Sequence, residues 1–156
     1  MTSVGQLHRS WAADLDAATV YELLRLRVDI FVVEQACPYP ELDGRDLEST
    51  TRHFWISDAD GVVLATLRLL EDAEPGSSAT VFRIGRVCTE RSARGQGLTK
   101  RLMEAALAEV GDGECRVEAQ AYLTDMYAKF GFRSDGGEYL EDGIPHVSMR
   151  RGGPTR

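Results

Sequence analysis

The sequence predicts a mixed α/β (α+β) fold, in which a mostly antiparallel sheet is flanked by helices. Several β-rich segments are joined by turn signals such as Asp58-Ala-Asp-Gly61. Other segments repeat apolar residues at helical spacing. Residues 83–107 combine both patterns, because a β-rich stretch passes through a glycine loop into an amphipathic helix. We therefore expect strands that follow one another as a meander, with helices packed against them.

Length and composition favour one globular domain. The chain has 156 residues, of which 43% are hydrophobic and 28% charged, so we expect a single domain over residues 1–150 and a flexible tail over residues 151–156. The net charge of -7 argues against a general nucleic-acid binder. No export signal and no apolar stretch of membrane-spanning length are present, which favours a cytoplasmic protein with no membrane partner.

The cysteines favour buried thiols over a disulfide framework or a zinc site. Cys37, Cys88 and Cys115 are widely spaced, and none belongs to a C-x-x-C pair. We therefore expect no metal. A cysteine nucleophile served by His53 or His146 remains an alternative.

The first quarter of the chain predicts a strand, a helix and a long loop. Residues 4–11 alternate as a strand, and Asp16 can cap the helix that follows. Its apolar stripe comprises Val20, Leu24, Val28 and Phe31, widened by Leu23 and Ile30. The irregular loop over residues 36–46 contains two prolines and an Asp-Gly step. Because loops of this length are often functional, it is a candidate wall of a substrate pocket, with a packed surface loop as the alternative.

The remaining elements follow in order. Strands are expected over residues 53–56 and 62–69, then a polar connection over 71–78 and a strand over 80–89. The next helix buries a stripe of Leu98, Leu102, Ala106 and Val110. A strand over residues 115–121, a short helix within 122–132 and two short strands within 138–150 complete the chain.

The glycine loop between strand and helix can bind an anion. In Arg94-Gly-Gln-Gly-Leu-Thr99, glycine allows backbone amides to turn toward a ligand, where the first helical N–H groups have no intrahelical partner. Four basic residues surround it: Arg91, Arg94, Lys100 and Arg101. The alternative is a helix-entry turn that binds nothing. The common dinucleotide and P-loop motifs are excluded, because Lys100 replaces the third glycine of the first and follows Thr99 rather than glycine.

Two motifs resemble those of the GNAT superfamily of acetyl-CoA-dependent N-acetyltransferases. Arg94-x-x-Gly97-x-Thr99 resembles the pyrophosphate loop of that family, although Thr99 replaces the usual glycine or alanine. Tyr127-x-x-Phe-Gly-Phe132 resembles its C-terminal signature. Gln120 occupies a position where many relatives carry asparagine.

Further segments extend the resemblance over almost the whole chain, toward the ElaA-type branch of GNAT proteins. These are Leu26-Arg-Val28, Phe31-Val-Val-Glu-Gln35, Cys37-Pro-Tyr39, Asp43-Gly44, Arg52-His53, Ile84-Gly-Arg-Val87, Ala119-Gln-Ala121 and Asp142-Gly-Ile-Pro-His146. The resemblance implies the GNAT fold, with a central mixed, mostly antiparallel, twisted sheet of six to seven strands, splayed at the cofactor site and flanked by about four helices.

The resemblance also implies a reaction and a set of cofactor-binding residues. Acetyl-CoA would donate an acetyl group to a primary amine of a small molecule or peptide, by direct attack in a ternary complex. Backbone donors at the splayed strand end would polarise the thioester carbonyl, and loop amides would hold the pyrophosphate. The implied residues are Val87, Cys88, Thr89, Arg94, Gly95, Gln96, Gly97, Leu98, Thr99, Lys100 and Gln120.

For the proton transfers, the resemblance assigns Tyr127 as the general acid that protonates the leaving thiolate. A core tyrosine bonded to the backbone is the alternative. The base stays open among Glu34, His53, Glu118 and His146; Glu34 and His146 are favoured as base or pocket residues. A homodimer is possible. The competing functions are a non-catalytic CoA-binding regulatory or interaction protein, and a small interaction module without a cofactor.

Overall fold

The computed structural model describes residues 5–74 and 76–153, and within them seven strands form one sheet. The strands are β1 Gln6–Trp11, β2 Arg52–Ser57, β3 Val63–Ala73, β4 Thr80–Thr89, β5 Cys115–Gln120, β6 Arg133–Glu141 and β7 Ile144–Arg151. Their order is β1-β2-β3-β4-β5-β7-β6, and only the β4–β5 pair is parallel. The expected mixed, mostly antiparallel sheet is confirmed.

Within the described part of the chain, three α-helices flank the sheet: α1 Ala17–Arg27, α2 Leu98–Val110 and α3 Thr124–Ala128. The carboxylate of Asp16 accepts a hydrogen bond from the Thr19 amide at 2.8 Å, so Asp16 caps α1 as predicted. Helix α1 continues directly into a π-helical segment, Val28–Glu34. Short 3₁₀ turns precede α2 and α3 and follow β1. Among the described helices, none is long and apolar enough to cross a membrane.

Several element boundaries differ from the prediction. Strand β3 runs on to Ala73, into the expected polar connection, and β6 begins at Arg133 rather than near residue 138. Arg151, the first residue of the expected tail, is instead the last residue of β7 and pairs with Cys115. Residue 4 of the predicted first strand, residue 75 of the polar connection and the end of the tail, residues 154–156, lie outside the described residues.

The two long helices pack on opposite faces of the sheet. Phe54 and Ile56 of β2 pack in an apolar cluster with the buried stripe of α2, as predicted for that helix. Trp55, which points the other way, packs in a second cluster with α1. The sheet is therefore covered on both faces beside β4, the strand that leads to the glycine loop.

The predicted apolar stripe of α1 is confirmed in part. Leu23 and Ile30 are buried as expected, whereas Val28 is 37% exposed, and Leu26 and the 1% exposed Arg27 complete the buried face. The apolar pattern did not reveal the whole face, because a charged side chain occupies a core position. In addition, the π-helical segment changes the helical period after Arg27.

Buried ion pairs hold Arg27 and fix the loop of residues 36–46. The guanidinium of Arg27 donates to Glu41 Oε2 at 2.8 Å and to Asp46 Oδ1 at 2.5 Å. Arg68 of β3 donates to Asp46 Oδ1 at 3.1 Å and to Asp43 Oδ2 at 2.5 Å. Burial acts to raise the pKa of Asp46, but the two arginines lower it below its ordinary value. The long loop is therefore a fixed wall, tied to α1 and β3.

Candidate active site

A cavity lies where β4 and β5 separate. Among the described residues, these strands pair only at Phe82 with Cys115 and at Arg83 with Arg116. Beyond these pairs a cavity of about 450 Å³ opens, lined by residues of both strands and of the 36–46 loop. The sheet is thus splayed as expected, and its splayed edge leaves backbone groups of β4 facing a cavity rather than a strand.

A β-bulge in β4 shapes this edge. Arg86 has a left-handed backbone with φ 53°, and the register to β3 shifts beside it. Before the bulge Ile84 packs in the α2 cluster, whereas after it Cys88 packs in the α1 cluster. Ile84 and Cys88 are four residues apart, and without the bulge an even separation would place both side chains on one face of the sheet. The bulge therefore reverses the side-chain alternation at the end of β4. It decides which side chains and backbone groups after Arg86 face the cavity, and Val87 is one residue that lines it.

The glycine loop has the geometry of an anion cradle. Gly95 and Gly97 have φ 81° and 75°, and α2 begins directly after Gly97 at Leu98. A Cβ atom added at either glycine would meet no heavy atom within 4 Å, so both glycines border open space. The amides at the start of α2, together with the positive end of its dipole, can hold a phosphate here. The residues present therefore fit the pyrophosphate of CoA.

Thr99 has a structural reason to depart from the family pattern. Its hydroxyl lies 3.1 Å from the hydroxyl of Thr89, the last residue of β4. This hydrogen bond ties the first turn of α2 to the end of the splayed strand, across the glycine loop.

The four basic residues around the glycine loop each have a partner within the protein. Arg94 forms an ion pair with Glu34 at 2.8 Å, and Arg91 lies 3.4 Å from the same carboxylate. Lys100 lies 3.6 Å from Glu104, and Arg101 donates to the Gly5 carbonyl at 3.2 Å. The side chains of Arg91 and Lys100 stay 76% and 72% exposed, so these two cations can face an anion together with the backbone of the loop.

Tyr127 lies at the inner wall of the cavity. It is 6% exposed, and its ring makes an edge contact with Phe132 at 6.0 Å between centroids. Among the described residues, no group hydrogen-bonds its hydroxyl, so a tyrosine bonded to the backbone is not what the structure contains. Burial raises the pKa of Tyr127, so the hydroxyl stays protonated at neutral pH and can donate to a ligand.

His146 lines the same cavity, and its hydrogen bond shows which ring nitrogen carries the proton. Its Nδ1 is 2.7 Å from the Ile144 carbonyl, which only accepts, so Nδ1 carries the proton. The ring stacks on Tyr139 at 5.9 Å, which fixes its plane. In the neutral ring Nε2 is then the acceptor, as a general base requires.

Glu118 lines the cavity but is heavily hydrogen-bonded. Arg83 Nη1 donates to Oε1 at 2.8 Å, and the hydroxyls of Ser148 and Tyr139 donate to Oε2. Burial acts to raise the pKa of Glu118, but these three donors lower it below its ordinary value. Such a carboxylate stays charged and is a weak proton acceptor.

The other two base candidates lie elsewhere. Glu34 is absent from the cavity lining, because its carboxylate turns to Arg94 on the glycine loop. His53 is buried on β2, with Nε2 2.9 Å from the Asp46 carbonyl, and burial lowers its pKa. The structure therefore brings Tyr127 and His146 together on the cavity, but not Glu34 or His53.

Gln120 faces a residue that the sequence did not single out as functional. Its side-chain amide exchanges hydrogen bonds with that of Gln35, at 3.2 and 3.3 Å, and both line the cavity. In the sequence, Gln35 stood out only as the last residue of the segment Phe31-Val-Val-Glu-Gln35. The bulge at Arg86 was also missed, because no glycine marks its left-handed backbone.

The three cysteines are free and buried, as expected. Burial raises the pKa of Cys88 and Cys115 to about 12, which disfavours the thiolate that a nucleophile needs. Cys37 lines the cavity, with Sγ 3.5 Å from the Asp142 carbonyl. Within residues 5–74 and 76–153, no group of three or more His, Cys, Asp or Glu side chains could hold a metal ion.

Comparison with known proteins identifies the family. Residues 28–152 match the model of the acetyltransferase (GNAT) domain. A UPF0039 protein of Mycobacterium tuberculosis is 65% identical over 147 residues, covering 94% of this chain and 93% of that protein. Protein ElaA of Escherichia coli is 37% identical over 151 residues, covering 93% of each, which confirms the resemblance to the ElaA-type branch.

Solved structures agree. The crystal structure of an acyl-CoA N-acyltransferase from Pseudomonas aeruginosa superposes with a TM-score of 0.83 at 42% identity, covering 94% of this chain and 99% of that chain. The crystal structure of Escherichia coli ElaA has the same TM-score at 33% identity and the same coverage. The splayed β4–β5 edge, the glycine loop and these matches lead to one conclusion: the chain belongs to the GNAT family of acetyltransferases.

Proposed function

We propose that the protein is an acetyl-CoA-dependent N-acetyltransferase that acetylates a primary amine of a small molecule or peptide by direct attack in a ternary complex. One observation carries the proposal. The cavity between β4 and β5 is lined by a tyrosine whose hydroxyl has no hydrogen-bond partner among the described residues and by a histidine whose Nε2 can accept a proton, and the glycine loop follows the end of β4.

The donor would lie along the splayed edge. Amides of residues 94–100 would hold the pyrophosphate, and the pantetheine chain would follow the cleft past Val87 and Gln120. Backbone donors of β4 from Val87 to Thr89 would polarise the thioester carbonyl as it gains negative charge. Acetyl-CoA supplies the activated acyl group. That the comparison structure from Pseudomonas aeruginosa is an acyl-CoA N-acyltransferase supports this class of donor.

The proton transfers would use two side chains. An amine is protonated near neutral pH, so His146 Nε2 would accept its proton and leave the nitrogen lone pair free to attack the carbonyl carbon. When the carbon–sulfur bond breaks, negative charge develops on sulfur. The Tyr127 hydroxyl would donate to that sulfur, because its raised pKa keeps the proton available there.

Two carboxylates of the cavity support an amine as acceptor. Among the described residues, Glu141 and Asp142 line the cavity without an arginine partner, whereas Asp43 and Glu118 are already paired with Arg68 and Arg83. A carboxylate without a cationic partner attracts a cation and raises its local concentration. Before deprotonation the acceptor would therefore be drawn in as an ammonium ion.

An acceptor screen by thiol release tests the proposal. Polyamines, amino acids, aminoglycosides and peptide amino termini are offered with acetyl-CoA, and free CoA is quantified against reactions without acceptor. Acceptor-dependent thiol release is the expected result, and repeating it with longer acyl-CoAs tests the preference for acetyl. Acetyl-CoA at a hundredfold excess over Kd should also raise the free energy of unfolding by about 2.7 kcal/mol. Absence of any shift at millimolar acetyl-CoA refutes the proposal, whereas a shift without turnover on any amine favours the non-catalytic CoA-binding alternative.

A further inference from the structure

The end of the π-helical segment contacts both sides of the splayed cleft. Glu34 places its two carboxylate oxygens 2.9 and 2.8 Å from Nη2 of Arg94, on the glycine loop that follows β4. The next residue, Gln35, exchanges two side-chain hydrogen bonds with Gln120 at the end of β5. Two consecutive residues thus connect to the two separated sides of the cavity.

Arg94 is turned toward the protein by these contacts. Its Nε donates to the Thr89 carbonyl at 3.1 Å, and its Nη2 donates to Glu34. One guanidinium therefore links the end of β4, the glycine loop and the π-helical segment. A planar group with several donors in fixed directions suits such a link, which a lysine could not reproduce.

The backbone holds Glu34 in place. The amide of Gln35 donates to the carbonyl of Ile30 at 3.1 Å, and that of Cys37 donates to Val32 at 3.1 Å, both over five residues. Ala36 then ends the segment with φ 50°. Turns of this kind are uncommon and occur frequently at functional sites. Ile30 is buried against α1 and β4, which anchors the segment in the core.

We infer that Glu34 is a positioning residue of the cofactor loop: it holds Arg94 so that the loop amides keep the orientation that binds the pyrophosphate of CoA. The inference rests on the proposed function, since it assigns a role in acyl-CoA binding. It also replaces the role of general base for Glu34, whose carboxylate does not line the cavity. Gln35 supports Glu34 by tying the same segment to β5.

If Arg94 instead bound the ligand directly, removal of Glu34 would change the CoA affinity in the opposite direction. If Arg94 bound the pyrophosphate directly through its charge, Glu34 would compete with the ligand, and its removal would strengthen binding. If Arg94 acts by fixing the loop, removal of Glu34 weakens binding. The two roles are therefore separated by the direction of one affinity change.

The test measures binding of CoA and of pantetheine, which lacks the pyrophosphate, by isothermal titration calorimetry. The variants are Glu34→Gln, Arg94→Gln, Arg94→Lys and the double variant Glu34→Gln/Arg94→Gln. Glu22→Gln is the matched control, because Glu22 also pairs with an arginine on α1, at 2.9 Å from Arg25, but away from the cleft. Melting temperatures establish that each variant is folded.

Each single variant is expected to bind CoA about tenfold more weakly than the wild type, since each loses a charge-assisted hydrogen bond that holds the loop. Pantetheine binding should stay unchanged. The double variant should bind CoA no more weakly than Arg94→Gln, because the two residues act as one unit. Arg94→Lys should resemble Arg94→Gln, although it keeps the charge.

Four results would overturn the inference. They are tighter CoA binding by Glu34→Gln, unchanged CoA binding by Glu34→Gln, wild-type affinity in Arg94→Lys, and equal losses for CoA and pantetheine. Failure of the wild type to bind CoA would instead refute the proposed function, so the two failures are distinguishable. In acetyl transfer, Glu34→Gln should raise KM for acetyl-CoA and leave kcat nearly unchanged, whereas loss of a general base would lower kcat.

Discussion

Replacing Tyr127 by phenylalanine removes one hydroxyl from the cavity wall and little else. The ring keeps its edge contact with Phe132, and no described group loses a hydrogen bond. We therefore expect the free energy of unfolding to change by less than about 0.5 kcal/mol. A kinetic effect of Tyr127→Phe can then be read without correction for lost structure.

The expected kinetic effect follows from the role of the hydroxyl. A general acid at a leaving group contributes roughly 10²–10⁴ in rate, which corresponds to about 2.7–5.4 kcal/mol of barrier. Turnover by Tyr127→Phe should therefore fall by roughly 10² or more, measured as acceptor-dependent thiol release. The affinity for acetyl-CoA, measured by calorimetry, should be that of the wild type, because the hydroxyl acts on charge that develops only during the reaction.

Tyr122→Phe is the matched control. Tyr122 lies in the 3₁₀ turn before α3 and is 74% exposed, so loss of its hydroxyl should leave turnover unchanged. Unchanged turnover in Tyr127→Phe would refute the reasoning and make Tyr127 a core residue only. A loss of acetyl-CoA affinity equal to the loss of kcat/KM would also contradict it, since the hydroxyl would then act in binding.

Three further predictions concern the loop, the buried ion pairs and pH. Gly97→Ala and Gly61→Ala each add a Cβ atom in open space at a similar positive φ, so each should cost about 1 kcal/mol of stability. In calorimetry, only Gly97→Ala should weaken CoA binding. Equal CoA affinities of the two variants would contradict the anion cradle. Arg27→Met leaves the buried Glu41 and Asp46 with one arginine each instead of two. It should cost about 3–5 kcal/mol in urea unfolding, and a loss below about 1 kcal/mol would contradict this. Burial lowers the pKa of His53, so the unfolded chain binds more protons below its ordinary pKa of about 6.5. The free energy of unfolding should therefore decrease as the pH falls from about 7 to about 5, and it should decrease less steeply in His53→Gln. Identical slopes of this free energy against pH in the two proteins would refute the prediction.

The elements that the sequence predicted best depend on local pattern. Strand β4 has the predicted bounds, and α2 buries the predicted stripe, because apolar periodicity and the glycine loop coincide there. The buried face of α1 was predicted only in part, for a non-local reason. Arg27 is buried by carboxylates that lie 14 and 19 residues further along the chain, and such pairing leaves no periodic signal.

In the candidate site, too, features with a local sequence pattern could be predicted, whereas features that depend on distant contacts could not. The loop and Tyr127 were identifiable because each belongs to a short motif with its own geometry. Glu34 was assigned to the pocket, but its ion pair with Arg94 spans 60 residues and exists only in the fold. The bulge at Arg86 was equally invisible, because a non-glycine residue with positive φ is imposed by its surroundings rather than by its own preference.

Under the proposed function, the donor and acceptor sides of the cavity would be built by different means. On the donor side, backbone groups of β4 and the glycine loop would hold the parts shared by every acyl-CoA, and these depend little on side-chain identity. On the acceptor side, the wall would consist of residues 36–46 and 141–146, members of which line the cavity. Arg27, Arg68 and Arg86 hold the first of these segments through buried or partly buried ion pairs, so the wall is preformed. A preformed wall selects by shape and charge without an ordering cost. Substitutions in these two segments should thus change the preferred amine while the affinity for acetyl-CoA is retained.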